Sequence, residues 1–473
     1  MKLIVPIFTC ISLFPAVQIE AQKRPNIVFI LADDLGYADL AGYGNSFHET
    51  PVLDKLAKQG IKFTNAFTAC AVCSPTRASI QTGRYPVKTG VTDWIPGLLK
   101  KNTILETPRT KTFLDINEIT IGEVFKKDGY RTALLGKWHL GDDLQHRPEK
   151  QGYDDVFLKE DWGFNKGYYN PAVKTKQWDT IKGNPDYLND KMNVVASRLL
   201  EKYATEKKPF FMMLCYNAVH EPIEPPADLF SYYENKQSDG LWKKPDYAAL
   251  TQSLDRSIGK VLQTITDLKL SDNTIIVFTS DNGGLSRETS NYPYSLGKGY
   301  YHDGGIRVPL IMVWKGKIKG NQQSGQRIIS MDYFPTLLDL AGLPLEPKAH
   351  ADGRSFLKNI LTGQKLSRDT LYWHYPHYHG AGETPCSSMI LGSFKFIRHY
   401  EGNGKELYDL SDDTGETNNL ALQNPGKVNE MELMLDKWLK ETDAILPLKS
   451  MNYNPQPDNT KKIKGAKKIL NEE

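Results

Sequence analysis

The sequence predicts an α/β fold, with a large, mainly parallel sheet flanked by helices, and a smaller C-terminal α+β domain with an antiparallel sheet. Three observations support this prediction. Long apolar runs rich in β-branched residues recur along the first two thirds of the chain. Helical segments that end in glycine lie between these runs, an alternation typical of parallel sheets. Beyond about residue 355 the pattern changes to short strands, a turn and one amphipathic helix.

Four apolar runs are candidates for central strands. They read "NIVFILA" at 26–32, "RTALLG" at 131–136, "PFFMMLCY" at 209–216 and "NTIIVFTS" at 273–280. A parallel strand that is buried on both faces shows a continuous apolar run instead of alternating apolar and polar residues. We therefore expect all four runs in the interior of one sheet.

The helices between these strands have clear start and stop signals. In "TPVLDKLAKQG", Thr50 suits the N-cap position, Pro51 the first helical position and Gly60 the C-terminal stop. The segments "TIGEVFKKDG" and "SMDYFPTLLDLAG" also end in glycine. All three are predicted to be helices of the main domain.

The domain organisation is predicted from composition. A main domain of residues 22–355 precedes a C-terminal domain of residues 356–453, and the polar, lysine-rich residues 454–473 are expected to form a flexible tail. In the C-terminal domain, "SSMILGSFKFIRHY" and "KELYDL" are predicted strands on either side of the turn sequence "EGNG". The helix that follows has one apolar face, formed by Val428, Met431, Leu435, Trp438 and Leu439.

The first 21 residues have the pattern of an export signal. Lys2 precedes the apolar run "LIVPIFTCISLFPAV", and "IEA" before Gln22 is a suitable cleavage site. The run is too short and too interrupted by proline to span a bilayer, and no other segment is apolar enough. We expect an exported protein, periplasmic or secreted, without stable membrane insertion.

Charge and cysteine content exclude other classes. The formal net charge of +3 is too small to indicate a nucleic-acid-binding protein. Removal of the signal would leave four cysteines, too few and too scattered to be the main support of the fold in an oxidising compartment. They are Cys70, Cys73, Cys215 and Cys386.

Polar, reactive side chains follow each predicted central strand. The carboxyl ends of parallel strands lie at one edge of a sheet, where ligands bind, so these side chains are expected to share one crevice. The oxygen ligands among them suit Ca²⁺ or Mg²⁺ better than zinc. Taken alone, the motif "ADD" at 32–34 or "SDN" at 280–282 would more simply cap a turn. The residues are Asp33 and Asp34 after the first strand, Lys137 and His139 after the second, His220 after the third, and Asp281 and Asn282 after the fourth.

Cys73 is predicted at the start of a short helix. Ser74 suits the N-cap, Pro75 the first helical position and Gly83 the stop, so the thiol would lie where the helix dipole favours anions. A zinc site would need a second ligand pair that is missing at suitable spacing, and a redox Cys-x-x-Cys usually starts its helix at the first cysteine. A nucleophile is the preferred interpretation, with Arg77 one turn away to orient it.

The segment "CSPTRASIQTGRYP" resembles the signature of the type I, formylglycine-dependent sulfatases, which are arylsulfatase-like members of the alkaline-phosphatase-like superfamily. The segments "PNIVFILADDLGYADLAGYG", "GKWHLG", "HEP", "SDNGG" and "LGKGYYHDGGIRVPLIM" occur in the order found in that family and extend the resemblance over most of the chain. Asp303 is a conservative departure, since many members have glutamate there.

The resemblance implies a sulfuric ester hydrolase in which a maturation enzyme oxidises Cys73 to formylglycine, whose hydrate is the nucleophile. It implies one divalent cation, by family habit Ca²⁺ in preference to Mg²⁺, held by residue 73 with Asp33, Asp34, Asp281 and Asn282. By the same resemblance, Arg77 and Lys137 would hold the formylglycine hydrate and His139 would take a proton during release of sulfate. His220 and Lys298 would grip the sulfate and protonate the leaving oxygen.

We expect a sulfated saccharide as the substrate, because the candidate loops are polar and rich in histidine and tyrosine. Possible sugar-binding residues are His374, His377 and His379 in "WHYPHYHG", with His146 and Arg147 as further candidates. The same histidines could instead belong to a packed loop. Alternative functions are a phosphomonoester, phosphodiester or phosphonate hydrolase of the same superfamily, or a catalytically silent glycan-binding protein.

Overall fold

The computed structural model describes residues 24–98, 100–158, 167–169, 186–238 and 240–454. The predicted signal peptide, residues 1–21, lies outside these described residues, as does the predicted tail from residue 455 onward. Within the described part, a sheet of nine strands forms the centre of the molecule, and a separate antiparallel sheet of four strands lies beside it. The predicted fold class is therefore confirmed.

The strands are numbered in chain order. They are β1 Asn26–Ala32, β2 Ile61–Phe67, β3 Leu105–Glu106, β4 Arg131–Gly136, β5 Asp155–Phe157, β6 Phe210–Cys215, β7 Thr274–Ser280, β8 Arg307–Trp314, β9 Gln322–Ser324, β10 Ile328–Ile329, β11 Thr370–Tyr375, β12 Cys386–Leu391, β13 Phe394–His399, β14 Lys405–Asp409 and β15 Leu448–Lys449.

The helices alternate with the strands of the main sheet. They are α1 Pro51–Gln59, α2 Cys73–Thr82, α3 Pro86–Thr89, α4 Ile121–Lys127, α5 Leu188–Glu206, α6 Ala227–Glu234, α7 Pro245–Asp267, α8 Asp303–Ile306, α9 Tyr333–Ala341, α10 Leu357–Thr362 and α11 Pro425–Glu441. None of the helices in the described ranges is long and apolar enough to cross a membrane.

The large sheet has the strand order β10-β2-β8-β7-β1-β6-β4-β5, with β9 also paired to β2. The four predicted central strands are β7, β1, β6 and β4, which are neighbours in this order and parallel to one another. Strand β8 runs antiparallel to both β7 and β2. The sheet is thus mainly parallel, and the carboxyl ends of its four central strands meet at one edge.

Burial on both faces explains the continuous apolar sequence of the central strands. In β1, Ile27, Phe29 and Leu31 belong to the core on one face of the sheet. The alternate residues Val28 and Ile30 belong to the core on the other face. Because both sets are buried, the strand has no solvent-facing positions that would favour polar residues.

The start of α2 differs from the prediction that placed Ser74 at the N-cap. The helix begins at Cys73, and Val72 is the N-cap residue in an extended conformation. The Ser74 hydroxyl instead accepts a hydrogen bond from the backbone N–H of Ile95. Pro75 still lies in the first turn, where its missing N–H has no intrahelical partner to lose.

The small sheet also differs in one detail from the prediction. The segment "SSMILGSFKFIRHY" was expected to form one strand, but it forms the two antiparallel strands β12 and β13. Gly392, which has a left-handed φ of 59°, lies in the tight turn between them. One face of this sheet packs against the main sheet region through Leu371 and Trp373, and the other is covered by the apolar face of α11, as predicted.

The proposed boundary between residues 355 and 356 stays a prediction. Phe356 and Ile360, at and within α10, belong to the core of the large sheet. The small sheet itself begins at Thr370.

Candidate active site

The site lies at the edge of the sheet where β7, β1, β6 and β4 end. Asp33 and Asp34 follow β1 directly, and Asp281 follows β7. The backbone N–H of Asp33 bonds to the carbonyl of Ala218, beyond β6, and that of Lys137 to Cys215. A third bond, from the backbone N–H of Asp281 to the carbonyl of Ala32, joins the ends of β7 and β1, so the four strand ends are held together.

Asp33 is the centre of the charge network. Its carboxylate accepts a hydrogen bond from Lys137 Nζ at 2.5 Å, and Arg77 Nη2 lies 3.7 Å from the other oxygen. Cys73 Sγ lies 3.6 Å from that same oxygen. Burial alone would raise the pKa of Asp33, but the surrounding positive charges, chiefly Lys137, hold it well below its usual range.

Asp34, like Asp33, is a buried carboxylate surrounded by hydrogen-bond donors and positive charge. Lys298 Nζ donates to one carboxylate oxygen at 2.7 Å, and His220 Nε2 is 3.7 Å from the same oxygen. Asn282 Nδ2 donates to the other at 2.8 Å. Burial opposes ionisation here too, yet the charge of Lys298 lowers the pKa of Asp34, so both aspartates of the pair are carboxylates at neutral pH.

Asp281 stands close to the pair and to Arg77. One of its oxygens accepts the backbone N–H of Asp34 at 3.3 Å, and the other accepts the Nε–H of Arg77 at 2.8 Å, with Nη2 of the same guanidinium 2.7 Å away. Burial, together with the negative charge of Asp33, raises the pKa of Asp281 to about 7. Three carboxylates in one buried site repel each other, and a divalent cation would relieve that repulsion.

The donor set fits a hard cation. One atom each from Asp33, Asp34, Cys73 and His220 lie within 4.8 Å of one another. Among the described residues, the buried Oδ1 atom of Asn282 has no hydrogen-bond partner, an arrangement that costs free energy unless a ligand compensates it. Carboxylate and amide oxygens are what Ca²⁺ and Mg²⁺ prefer, and the predicted ligands Asp281 and Asn282 adjoin the cluster.

Cys73 is the first residue of α2 and is 2% exposed. Burial raises the pKa of its thiol to about 12, so the thiol by itself stays protonated at neutral pH. Arg77, one turn along α2, donates to the backbone carbonyl of Lys137 at 2.8 Å. An unmodified cysteine is therefore a poor nucleophile here, although cations surround it.

The two predicted catalytic histidines are held by backbone carbonyls. His139 Nε2 donates to Ile95 O at 2.7 Å, and His220 Nδ1 donates to Glu221 O at 2.7 Å. Burial lowers the pKa of both rings, reinforced by Lys137 for His139 and by Lys298 for His220. In the neutral ring that these shifts favour, the second nitrogen of each imidazole is a proton acceptor.

A cavity of about 640 Å³ opens above these groups. Cys73, Lys137, His139, His220 and Lys298 line its floor, and one wall is apolar. The wall residues are Trp94, Ile95, Pro96 and Leu98. Such a combination of an apolar wall and a few polar groups is typical of small-molecule sites.

The five predicted sugar-binding residues have different surroundings. His379 lines the cavity. His374 bonds to Ser387 Oγ and to the carbonyl of Ile445, and His377 bonds to Thr92 Oγ1. His146 pairs with Asp143 and stacks on Phe113, and Arg147 pairs with Glu149.

Sequence reasoning missed several cavity residues. Glu221 and Arg287 form an ion pair at the mouth and line the cavity, as does Asp142. Each follows the end of a central strand. The expectation that ligands bind at the carboxyl ends of parallel strands, which identified the other residues, could therefore have found them. The wall residue Trp94 follows α3 and belongs to none of the strand-end motifs.

Two family models match the chain. The model described as "Sulfatase" matches residues 25–343. The model described as "N-sulphoglucosamine sulphohydrolase, C-terminal" matches residues 295–444. Together they extend over both sheets.

Individual proteins are similar over comparable lengths. A protein named "Sulfatase" from Formosa agariphila is 31% identical, covering 93% of each chain. The N-acetylgalactosamine-6-sulfatase of Homo sapiens is 32% identical over 75% of this chain and 69% of its own. A crystal structure of Ps i-CgsB in complex with k-i-k-neocarrahexaose superposes with a TM-score of 0.76 at 28% identity, covering 88% of this chain and 92% of that one.

Proposed function

Because the chain belongs to the sulfatase family, we propose that this sulfuric ester hydrolase removes sulfate from a carbohydrate, with residue 73 as formylglycine and Ca²⁺ as the cation. The observation that carries the proposal is the position of Cys73 Sγ, 3.6 Å from Asp33 among buried carboxylates and cations. The high pKa of the thiol supports conversion, since the cysteine itself would be inert.

The residues at the strand ends would hold the cation and the nucleophile. Asp33, Asp34, Asp281 and Asn282 would hold the cation with residue 73. The cation, when bound, would lower the pKa of the nucleophile and offset charge on the sulfate oxygens. Formylglycine, as its hydrate, would supply one hydroxyl to attack sulfur and a second to expel the sulfate afterwards.

The charged side chains orient the reacting groups. Arg77 and Lys137 would hold the hydrate of residue 73, and the raised pKa of Lys137, set by Asp33 against the effect of burial, keeps it charged. His139 would accept a proton from the hydrate through the ring nitrogen not bonded to Ile95. Lys298 and His220 would bind the sulfate. The negative charge of the bound sulfate would raise the pKa of His220 and so favour the protonated ring, which would then supply the proton that the leaving oxygen requires.

A carbohydrate substrate is supported by two observations. A similar protein is named as an N-acetylgalactosamine-6-sulfatase, and a similar structure contains an oligosaccharide. In this chain, the apolar wall that begins at Trp94 could pack against the face of a sugar ring while His379 and Arg287 bond its hydroxyls. We also propose export through residues 1–21, which N-terminal sequencing of secreted protein would test.

The conversion can be measured directly. Expression with a formylglycine-generating enzyme should lower the mass of the peptide that contains residue 73 by roughly 18 Da. The converted protein should hydrolyse defined sulfated monosaccharides. The Cys73→Ala variant, expressed and purified in the same way, should be inactive. Phosphate esters cleaved in preference to sulfate esters, or no cleavage by verified converted protein, would refute the proposal.

A further inference from the structure

The histidine-rich segment 373–380 lies in and beyond β11, and two of its side chains reach the cavity wall from behind. Tyr375 Oη donates to Asp93 Oδ1 at 2.6 Å. His377 Nε2 and Thr92 Oγ1 are 2.9 Å apart. Tyr375, His377 and Asp93 are all at most 2% exposed, so the bond between Tyr375 and Asp93 does not compete with water.

Asp93 organises the segment 92–98, which carries the apolar wall. Its Oδ1 atom accepts the backbone N–H of Trp94 at 2.8 Å, and its Oδ2 atom accepts that of Leu98 at 3.3 Å. A buried carboxylate that accepts backbone N–H groups and a tyrosine hydroxyl fixes the chain around it. Tyr375 thereby holds the segment 92–98 at its first turn.

Ile95 connects this segment to the reacting groups. Its N–H donates to Ser74 Oγ, next to residue 73, at 3.1 Å. Its carbonyl accepts His139 Nε2–H at 2.7 Å, which determines the orientation of the ring and which nitrogen carries the proton. A shift of Ile95 would therefore misplace the imidazole relative to residue 73.

We propose that Tyr375 and His377 are positioning residues that hold His139 through the segment 92–98, so that the C-terminal sheet takes part in the reaction without touching the substrate. The inference rests on the proposed function, in which His139 accepts a proton from residue 73. It also gives His377 a role other than sugar binding. Hydrogen-bond partners that orient metal-binding histidines typically change affinity or activity about 10–100-fold when mutated, and we expect an effect of that order on His139.

The test compares two tyrosines that each donate to a buried aspartate. Tyr375→Phe removes the bond to Asp93, and the matched control Tyr203→Phe removes the 2.7 Å bond to Asp155 at the far side of the sheet. Both tyrosines are buried, and each substitution removes the hydroxyl while the aromatic ring stays the same. If Tyr375→Phe fails to fold, Thr92→Val takes its place in the test. This variant removes the hydroxyl that contacts His377, and Thr92 is only half-buried.

The first readout is independent of activity. The ¹⁵N signals of the His139 ring, assigned by their loss in His139→Ala, should show the Nε2-protonated form in the wild type. They should indicate a mixture of the two tautomers in Tyr375→Phe and no change in Tyr203→Phe. Unchanged His139 signals in Tyr375→Phe and Thr92→Val would overturn the inference whether or not the enzyme is active.

The second readout is kinetic. In converted enzyme acting on a small aryl sulfate, Tyr375→Phe should lower kcat about tenfold while KM changes less than about twofold, since the sulfate-binding floor is intact. Altered ring signals with an unchanged kcat would overturn the inference and leave the proposed function standing. An inactive wild type with verified conversion would instead refute the proposed function, and the ring signals would still decide whether Tyr375 holds His139.

Discussion

Two residues of the site, Asp34 and His139, adopt the left-handed backbone conformation that favours glycine. Their φ angles are 61° and 60°. Such conformations cost about 1–3 kcal/mol each and persist where the surroundings determine them. Asp34 is fixed by Asn282 and Lys298, and His139 by Ile95. Both side chains thus point into the crevice because the backbone is held in a turn that local sequence does not favour.

Calcium should stabilise the protein through this crevice. We expect Ca²⁺ to raise Tm, because an ion that binds only the folded chain adds about 2.7 kcal/mol at 100 times its Kd. Asn282→Leu should weaken this effect at least tenfold in apparent affinity, since it removes the buried oxygen Oδ1 without changing the size of the side chain much. Thermal unfolding during calcium titration measures both.

Asn65→Leu is the matched control for that titration. Asn65 Oδ1 also has no hydrogen-bond partner in the part of the chain that the structure describes, but the residue lies on β2, outside the cavity lining. Its response to calcium should equal that of the wild type. Equal calcium stabilisation of Asn282→Leu and wild type would show that Asn282 is not a ligand.

At the scale of elements, α1 depends on α7 for its N-terminal cap. Thr50 occupies the N-cap position, as predicted, but its hydroxyl accepts from Ala41 and donates to Asp54. The backbone N–H groups of Val52 and Leu53 instead donate to Asp255 of α7, at 3.0 and 2.8 Å. A cap supplied by a residue some 200 positions away is invisible to local pattern.

Asp255→Ala should therefore destabilise the protein without affecting the reaction. Two N–H groups in the first turn of α1 would lose their acceptor, at a cost of about 2 kcal/mol in the free energy of unfolding. Urea denaturation should show this shift while kcat stays at the wild-type value. Asp272→Ala, which removes a carboxylate that is 79% exposed, should change stability by less than about 0.5 kcal/mol.

The difference between local sequence pattern and tertiary contact also separates what the sequence could predict from what it could not. The strands β1, β4, β6 and β7 and their polar ends follow from apolar runs and local motifs, and their assembly at one edge follows from parallel pairing. The predicted start of α2 was wrong by two residues because Ser74 bonds to Ile95, a tertiary partner. Likewise, the bond between Tyr375 and Asp93 joins residues 282 positions apart, and nothing in either local sequence indicates it.

At the scale of the whole molecule, a buried ion network joins the small sheet to the loop that carries Lys298. Lys395 of β13 contacts Asp303 and Glu416, each at 2.7 Å, and its side chain is 0% exposed. Asp303 also pairs with Arg307 at 2.8 Å. The charges balance, which is the condition for burying them together.

Lys395→Met should lower the free energy of unfolding by about 3–5 kcal/mol, because Glu416 would be left buried and unpaired. Asp303 would keep Arg307. The double variant Lys395→Met/Glu416→Gln should recover a large part of the loss. The loss of the single variant relative to wild type should also shrink as pH falls toward 5, since protonation of Glu416, whose pKa burial already raises, removes the uncompensated charge. A loss below about 1 kcal/mol by urea denaturation would contradict this account.

Buried histidines that the fold holds in their neutral form, among them His48, His374 and His377, should each reduce the stability of the protein in mild acid. Burial lowers the pKa of His48 and His374 to about 4 and that of His377 to about 3. Between these values and the pKa of about 6.5 in the unfolded chain, only the unfolded state binds the proton, so stability increases with pH. Each histidine contributes a slope of about 1.4 kcal/mol per pH unit at most in that window.

His399 should act in the opposite direction, as should the buried carboxyl groups of Asp39, Asp93 and Asp255, because burial raises the pKa of each of these carboxyls to about 6. Burial lowers the pKa of His399, yet the hydrogen bond to Glu406 outweighs burial and raises it, so its contribution is present in acid and lost as pH rises through that value. Because groups of both kinds titrate between pH 4 and 6.5, the contribution of one histidine is measured as a difference between wild type and variant. Urea denaturation should show that the wild type loses stability relative to His48→Gln as pH falls from 6.5 to 4, because the variant lacks a ring that the fold holds neutral. A stability difference between the two that does not change with pH would mean that the His48 ring is not held neutral by the fold.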